Sequence, residues 1–147
     1  MKLYLDLCVY NRPFDDQGHD RIALETSIFT YILEKIETDI YALVNSDALR
    51  YENNKNPDSL RSVRITTYFE LAKEFVEISN ADYDRVKVLK GLGFSDIDAL
   101  HISLAERFQA DYFITCDDDI VNRYKRHKDV IKIKIVNLTE FIGMEVK

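Results

Sequence analysis

Short apolar segments recur along the 147-residue chain, and a stretch with helical character separates each segment from the next. The segments that read as strands are 3–9, 40–44, 76–79, 111–115 and 131–136. The helical stretches are 19–37, 46–52, 56–75, 82–92, 95–108, 119–127 and 139–142. Strands that alternate with helices need crossover connections, which favour parallel pairing. The sequence therefore predicts an α/β fold in which helices cover a mostly parallel central sheet.

Residues with capping character mark the starts of three helices. Ser46 and Ser95 each precede a helical stretch and are favoured N-caps. Asn56 precedes Pro57, and the pair is typical of an N-cap followed by the first helical position. We expect helices to begin at these three points.

The composition is that of one ordinary globular domain spanning 1–147. Hydrophobic residues make up 46% and charged residues 31%, with only 4 Gly and 2 Pro, which excludes disordered and fibrous classes. The first residues form neither a signal peptide nor a membrane span, because Asp6 interrupts a short apolar stretch. We expect a cytoplasmic protein whose two cysteines, Cys8 and Cys116, are reduced.

Charge is unevenly distributed. The formal net charge of −6 argues against a general nucleic-acid coat, yet segment 121–134 holds six cations against one anion, a formal charge of +5. Those cations are Arg123, Lys125, Arg126, Lys128, Lys132 and Lys134. The segment is either a solvated helix face or a phosphate-binding rim beside an acidic pocket.

Asp6 is a carboxylate inside an otherwise apolar strand. Burying a charged group costs free energy unless the group is paired or coordinated, so this position favours a functional role. Asp117 to Asp119 follow the strand at 111–115, and Asp98 lies in the first turn of the helix that leads into that strand. Because the carboxyl ends of parallel strands share one sheet edge, these acids can converge there.

Such a cluster must be compensated. Two carboxylates about 4 Å apart repel by about 4 kcal/mol at an effective dielectric near 20, so solvent, cations or a metal ion must offset the repulsion.

The acids after the first strand can also be explained as helix caps. Asp98 can form a capping box with Ser95, and Asp117 to Asp119 can supply a turn and a helix N-cap.

Three further titratable residues invite interpretation. Glu52 follows Leu49 by three positions and so shares the inward face of its helix. Glu25 lies on an apolar helix stripe, and we expect an ion pair with Arg12. His101 is interpreted as a hydrogen-bonded structural residue rather than a ligand.

Four segments, read together, resemble the PIN-domain family over nearly the whole chain. They are LYLD at 3–6, SDALRYE at 46–52, DALHISLA at 98–105 and FITCD at 113–117. The resemblance implies a three-layer α/β/α domain and a ribonuclease that depends on Mg²⁺ or Mn²⁺. The family includes the toxin halves of VapBC-type toxin-antitoxin pairs.

The family's acids map onto this chain one by one. Asp6 matches the first acid, Glu52 the second, Asp98 the third and Asp117 the fourth. The resemblance implies that all four are catalytic, that Asp6, Asp98 and Asp117 hold Mg²⁺ or Mn²⁺, and that Glu52 positions a water or completes a second metal site. It also implies an RNA substrate, single-stranded in our interpretation, and a homodimer. It leaves open whether the chain is a toxin with an antitoxin protein as partner or a stand-alone nuclease.

One position departs from the family pattern. The family often has Ser, Thr or Asn within two residues of the first acid, whereas this chain has Leu7 and Cys8. Asn11 is the candidate substitute. The alternatives are a lowered metal affinity and a loss of activity.

Other functions are weighed against the nuclease. The chain has no Cys/His set with zinc spacing, no glycine-rich phosphate loop and no G-x-S-x-G elbow. A phosphoacceptor receiver module would need a lysine near the last strand, for which Lys132 and Lys134 are candidates. A catalytically silent PIN-like binding module is the second alternative. For a nuclease, Arg61 and Arg64 are further candidates for contacts with flanking phosphates.

Overall fold

The protein, described over residues 1–146 by a computed structural model, is built on a sheet of five parallel strands. The strands are β1 (Lys2–Leu5), β2 (Ala42–Ser46), β3 (Glu74–Val76), β4 (Tyr112–Thr115) and β5 (Lys134–Asn137). The helices are α1 (Leu7–Asn11), α2 (Asp20–Glu37), α3 (Asp47–Asn54), α4 (Ser59–Phe69), α5 (Asn80–Gly91), α6 (Asp96–Arg107), α7 (Asp118–Arg126) and α8 (Leu138–Glu145). The predicted α/β architecture is confirmed.

The strand order is β3-β2-β1-β4-β5, with β1 at the centre. The chain adds β2 and β3 on one side of β1, then crosses back to add β4 and β5 on the other. Tyr4 of β1 is in register with Val44 of β2 and with Phe113 of β4. The strand order therefore reverses between β1 and β4, and a crevice opens at their carboxyl ends.

Helices bury both faces of the sheet. Leu3, Tyr4 and Leu5 are consecutive in β1 and all have 0% exposure, which requires cover on both sides. The Tyr4 ring stacks on Phe113 at 5.4 Å between centroids. α2 packs against α8, and α5 packs against α6. No helix within residues 1–146 is long and apolar enough to cross a membrane.

The first strand is shorter than the sequence pattern predicted. The expected strand 3–9 ends at Leu5, and α1 begins at Leu7. The cause is Asp6, whose carboxylate accepts a hydrogen bond from the Leu7 amide at 2.8 Å and acts as the N-cap of α1. Asp6 therefore lies just past the strand rather than inside it.

Helix starts agree with the sequence at two of three positions. Ser46 caps α3 and Ser95 caps α6 through their hydroxyl groups. The prediction at Asn56 and Pro57 was wrong, because α4 begins after Asp58. The Asp58 carboxylate accepts bonds from two amides of the first turn, which makes it the stronger cap.

The second and last strands also begin later than expected, at Ala42 and Lys134. The amides of Ile40 and Tyr41 both donate to the Lys35 carbonyl and so close the end of α2. They are unavailable to the sheet. The amide of Lys132 is likewise engaged, by the Glu106 carboxylate at 2.7 Å.

Candidate active site

Asp6 lies at the carboxyl end of the central strand and is 7% exposed. Its Oδ2 accepts a hydrogen bond from the Thr115 hydroxyl at 2.8 Å and a weaker one from the Cys8 thiol at 3.4 Å. Burial, the largest influence, raises the pKa of this carboxyl group, while His101 and the Thr115 hydrogen bond act in the opposite direction. Asp6 is a carboxylate that a nearby cation would stabilise.

Thr115 joins the first and fourth acids through one hydroxyl group. It ends β4, donates to Asp6 and accepts the amide hydrogen of Asp117 at 3.1 Å. Thr115 thus places a hydroxyl group next to Asp6, where the neighbouring residues Leu7 and Cys8 have none. That Asn11 takes this role stays a prediction. The side-chain oxygen of Asn11 is buried without a partner among residues 1–146. Sequence reasoning gave Thr115 no role, although a polar residue ending an apolar strand was a usable signal.

The two cysteines lie beside Asp6 as free thiols. The Cys116 amide donates to the Cys8 sulfur at 3.1 Å. The neighbouring Cys116 thiol, followed by burial, raises the pKa of Cys8 well above its ordinary value. Cys8 therefore stays neutral and adds no further negative charge next to Asp6.

Asp98 lies half-buried in the first turn of α6. Its amide donates to the Ser95 hydroxyl at 3.2 Å, so the predicted cap at Ser95 is present. Burial and then the charge of Asp6 raise the pKa of Asp98 to about 6, and Asp117 adds to this effect. Asp98 also lines the same surface hollow as Asp117.

The three consecutive aspartates after β4 have separate contacts. Asp117 caps α7 by accepting the Asp119 amide hydrogen at 2.9 Å. Both oxygens of Asp118 accept from Arg21 at 2.8 Å, and Arg21 also contacts the buried Glu25 at 3.3 Å. The capping alternative is therefore correct for Asp117, and a bidentate ion pair occupies Asp118.

Asp98, Asp117 and Asp119 line one surface hollow of about 190 Å³. Arg123 of α7 is the basic residue in its lining, and the guanidinium lies 5.8 Å from the centroid of the Phe94 ring. Its Nη1 occupies the space that a Cβ atom would take at Gly93, whose φ is +105°. The absence of a side chain at Gly93 therefore leaves room for the Arg123 guanidinium beside the acidic hollow.

Glu52 of α3 reaches the site from the β2 side of the sheet. Its Oε1 is 2.9 Å from Nε2 of the fully buried His101, and the other His101 nitrogen is 2.6 Å from the Tyr4 hydroxyl. The Tyr4 hydroxyl is also 2.6 Å from the Ser46 hydroxyl. His101 is thus hydrogen-bonded on both nitrogens, as predicted, and this chain of contacts orients the Glu52 carboxylate.

All four predicted acids are therefore neighbours at one edge of the sheet. One ligand atom each from Asp6, Glu52 and His101 lie within 4.8 Å of one another, and Asp98 and Asp117 share the adjoining hollow. Carboxylate oxygens are the ligands that Mg²⁺ and Mn²⁺ prefer, so this donor set fits either ion.

Most of the basic segment lies away from these acids. Lys125 pairs with Glu140 at 3.0 Å. Lys134 begins β5 and so lies at the amino ends of the parallel strands, whereas the acids lie at their carboxyl ends. Lys134, one of the two candidate lysines of a receiver module, therefore does not lie among the acids. Arg61, another predicted phosphate contact, is held by Asp15 at 3.1 Å instead.

Comparison with known proteins supports the architecture. No family model matches the chain, and no curated protein matches it. One chain of a solved structure is similar, with 17% sequence identity and a TM-score of 0.57. That structure is the crystal structure of VapBC2 from Rickettsia felis bound to a DNA fragment from the VapBC2 promoter. The match covers 93% of this chain and 98% of that chain. The fold is PIN-like.

Proposed function

We propose that this chain of PIN-like fold is a metal-dependent ribonuclease that hydrolyses phosphodiester bonds of single-stranded RNA. The observation that carries the proposal is the contact of four acids at the carboxyl ends of β1 and β4. Asp6 and Glu52 have oxygens within 4.8 Å of each other, Thr115 bonds both Asp6 and the Asp117 amide, and Asp98 lines the same hollow as Asp117. Each comes from a different part of the chain, and burial, followed by the charge of Asp6, raises the pKa of Asp98. Titratable groups with perturbed pKa values collect at functional sites, which supports the assignment of this site.

The donor atoms suit Mg²⁺ or Mn²⁺, which Asp6, Asp98 and Asp117 would hold directly or through water. A bound ion would lower the pKa of a coordinated water and would offset charge on the phosphate under attack. Glu52, fixed by His101, positions a water or completes a second metal site. Thr115 holds Asp6 and the Asp117 loop at a constant separation.

In the proposed reaction, the oxygen of a water molecule bonds to phosphorus as that water loses a proton. The bond from phosphorus to the leaving ribose oxygen breaks, and the leaving oxygen takes a proton from solvent water. Without metal the pKa of Asp98 is about 6, so its carboxyl group is ionised at neutral pH. Where it would hold the ion through a water, it can accept the proton that this water loses. Arg123 lies where it can contact a phosphate oxygen.

The structural likeness to a chain of VapBC2 supports a toxin of a toxin-antitoxin pair, with an antitoxin protein as partner. A homodimer remains a prediction. The alternative function, a catalytically silent PIN-like binding module, differs from the nuclease in one measurable respect: it would not cleave RNA.

Cleavage of a fluorescently labelled single-stranded RNA in Mn²⁺ tests the proposal. We expect the wild-type protein to cut, EDTA to stop cleavage, and Asp6→Asn to lower the rate at least 100-fold. Asp84→Asn is the matched control, since Asp84 is an exposed aspartate on α5, and its rate should stay within about twofold. Equal rates for Asp6→Asn and the wild type would overturn the assigned site, and cleavage that persists in EDTA would indicate a contaminating enzyme.

A further inference from the structure

We infer that the groove between α3 and α6 is a subsite for an unpaired nucleobase of the RNA substrate, an inference that rests on the proposed function. The groove has a volume of about 950 Å³. The residues that form its apolar floor and its rim include Ala48, Tyr51, Lys55, Ile78, Ile97 and Leu100. Sites for small organic groups share this combination of size and apolar lining.

The groove is continuous with the acidic site. Tyr51 directly precedes Glu52 on α3, and Ile97 directly precedes Asp98 on α6. Ser95 lines both the groove and the acidic hollow. A strand with its scissile phosphate at the acids would therefore bring a neighbouring nucleotide into the groove.

The side chains of the groove suit a base and its phosphate. Tyr51 is 55% exposed, and the Lys55 ammonium lies 4.2 Å from the centroid of its ring. Proteins bind single-stranded nucleic acids by stacking bases on exposed aromatic rings while nearby cations contact the backbone. Tyr51 and Lys55 provide one group of each kind in adjacent turns of the same helix.

The charges around the groove favour an anionic occupant. Of its two carboxylates, Asp47 accepts the Ile78 amide hydrogen at 3.0 Å and Asp96 pairs with Lys90 at 2.6 Å. Arg50 and Lys55, in contrast, lie over aromatic rings, and neither has a carboxylate partner within the described part of the chain. Among the described residues, the groove therefore carries two cations without ion-pair partners against one carboxylate, Asp47, without a cationic partner. The excess of positive charge suits an RNA backbone better than an uncharged apolar peptide.

Binding of a labelled single-stranded RNA, measured by fluorescence anisotropy in EDTA so that the strand stays intact, tests this inference. Loss of one stacked base should weaken binding about 5- to 150-fold in Tyr51→Ala. Tyr51→Phe, which keeps the ring, should bind like the wild type. The matched control is Tyr83→Ala, since Tyr83 is 63% exposed on α5, and it should leave the affinity unchanged.

A scan with RNAs that carry one abasic nucleotide identifies the base involved. We expect one abasic position to weaken binding to the wild type and to have no further effect on Tyr51→Ala. Wild-type affinity in Tyr51→Ala, or an equal loss in Tyr83→Ala, would overturn the subsite even if metal-dependent cleavage is observed. Base-dependent binding through Tyr51 without cleavage would instead retain the subsite and reject the nuclease. Tight binding of an uncharged apolar peptide in the groove that does not compete with RNA would assign the groove to a protein partner and overturn the inference.

Discussion

Thr115 shows how one side chain can hold two acids of the proposed site together. Its hydroxyl group donates to Asp6 at 2.8 Å and accepts from the Asp117 amide at 3.1 Å. We expect Thr115→Val, which keeps the shape and removes the hydroxyl, to lower kcat/KM by about 10- to 100-fold, as loss of groups that orient metal ligands commonly does. Thr115→Ser should retain most of the activity. Equal activity in the valine and serine variants would contradict this role.

Gly93 and Arg123 form a second pair at the residue scale. A Cβ at Gly93 would collide with Arg123, and the φ of +105° is unfavourable for alanine. We expect Gly93→Ala to lower both the melting temperature and the activity. Arg123→Ala should lower the activity alone, through weaker RNA binding.

Gly91→Ala is the matched control, because a Cβ there meets nothing within 4 Å. Gly91 is the last residue of α5, so alanine should be neutral or slightly stabilising there. A similar loss of stability in Gly91→Ala and Gly93→Ala would show that the contact with Arg123 is irrelevant.

The acids and their supporting residues differ in how far the sequence predicted them. Asp6 was recognisable because a carboxylate interrupts an apolar run, which has a physical cost that the sequence itself displays. Thr115 bonds to a residue 109 positions away, and nothing local marks that contact. Arg123 was one of six similar cations, and only the packing against Gly93 distinguishes it.

At the scale of elements, α2 is tied to the loop after β4 by a buried charge. Glu25 is 2% exposed and contacts Arg12 at 3.1 Å, as the sequence predicted, and Arg21 at 3.3 Å. Arg21 in turn holds Asp118, next to the fourth acid. α2 therefore helps to position the loop that carries Asp117.

Removing Glu25 leaves two arginines without this partner. We expect Glu25→Ala to lower the free energy of unfolding by about 1 to 2 kcal/mol. This is less than the cost of breaking a fully buried ion pair, because Arg21 is half-exposed and each arginine keeps an aspartate partner. Glu34→Ala, at an exposed position of the same helix, should change it by less than about 0.5 kcal/mol. Denaturant unfolding measures both, and equal losses would contradict a specific role for Glu25.

The spacing of apolar residues predicted which segments are strands and which are helices. The residues at which these elements begin and end depend instead on which side chains cap the helices. The order of strands and helices was predictable because apolar runs and helical spacing are local properties. β1 ended early since Asp6 bonds the Leu7 amide, and α4 began late since Asp58 is the stronger cap. Which of several capping residues wins depends on backbone geometry that the sequence pattern does not contain.

At the scale of the whole molecule, the strand order concentrates negative charge at one edge of the sheet. The reversal between β1 and β4 brings Asp6, Asp98 and Asp117 together, and burial with charge repulsion raises the pKa of Asp98 to about 6. The folded state therefore holds the Asp98 proton more tightly than the unfolded chain, where the pKa is about 4. This contribution to stability is full below about pH 4 and is lost as the pH rises through about 6.

A bound divalent cation should reverse that loss. We expect Mn²⁺ to raise the melting temperature more at pH 8 than at pH 5, because protons compete with the metal at the lower pH. Without metal, Asp98→Asn should be more stable than the wild type at pH 8, and its stabilisation by Mn²⁺ should be smaller. Equal Mn²⁺ effects at the two pH values, or an Asp98→Asn protein that is less stable at pH 8, would contradict this role.

The location of bound metal tests the central claim most directly. We would soak crystals of the protein in Mn²⁺ and measure anomalous diffraction. We expect an anomalous peak within ligand distance of oxygens from Asp6, Asp98 or Asp117, about 2.0 to 2.6 Å away or one water further. Well-ordered crystals at saturating Mn²⁺ with no peak among these acids would contradict the claim that they form a divalent-metal site.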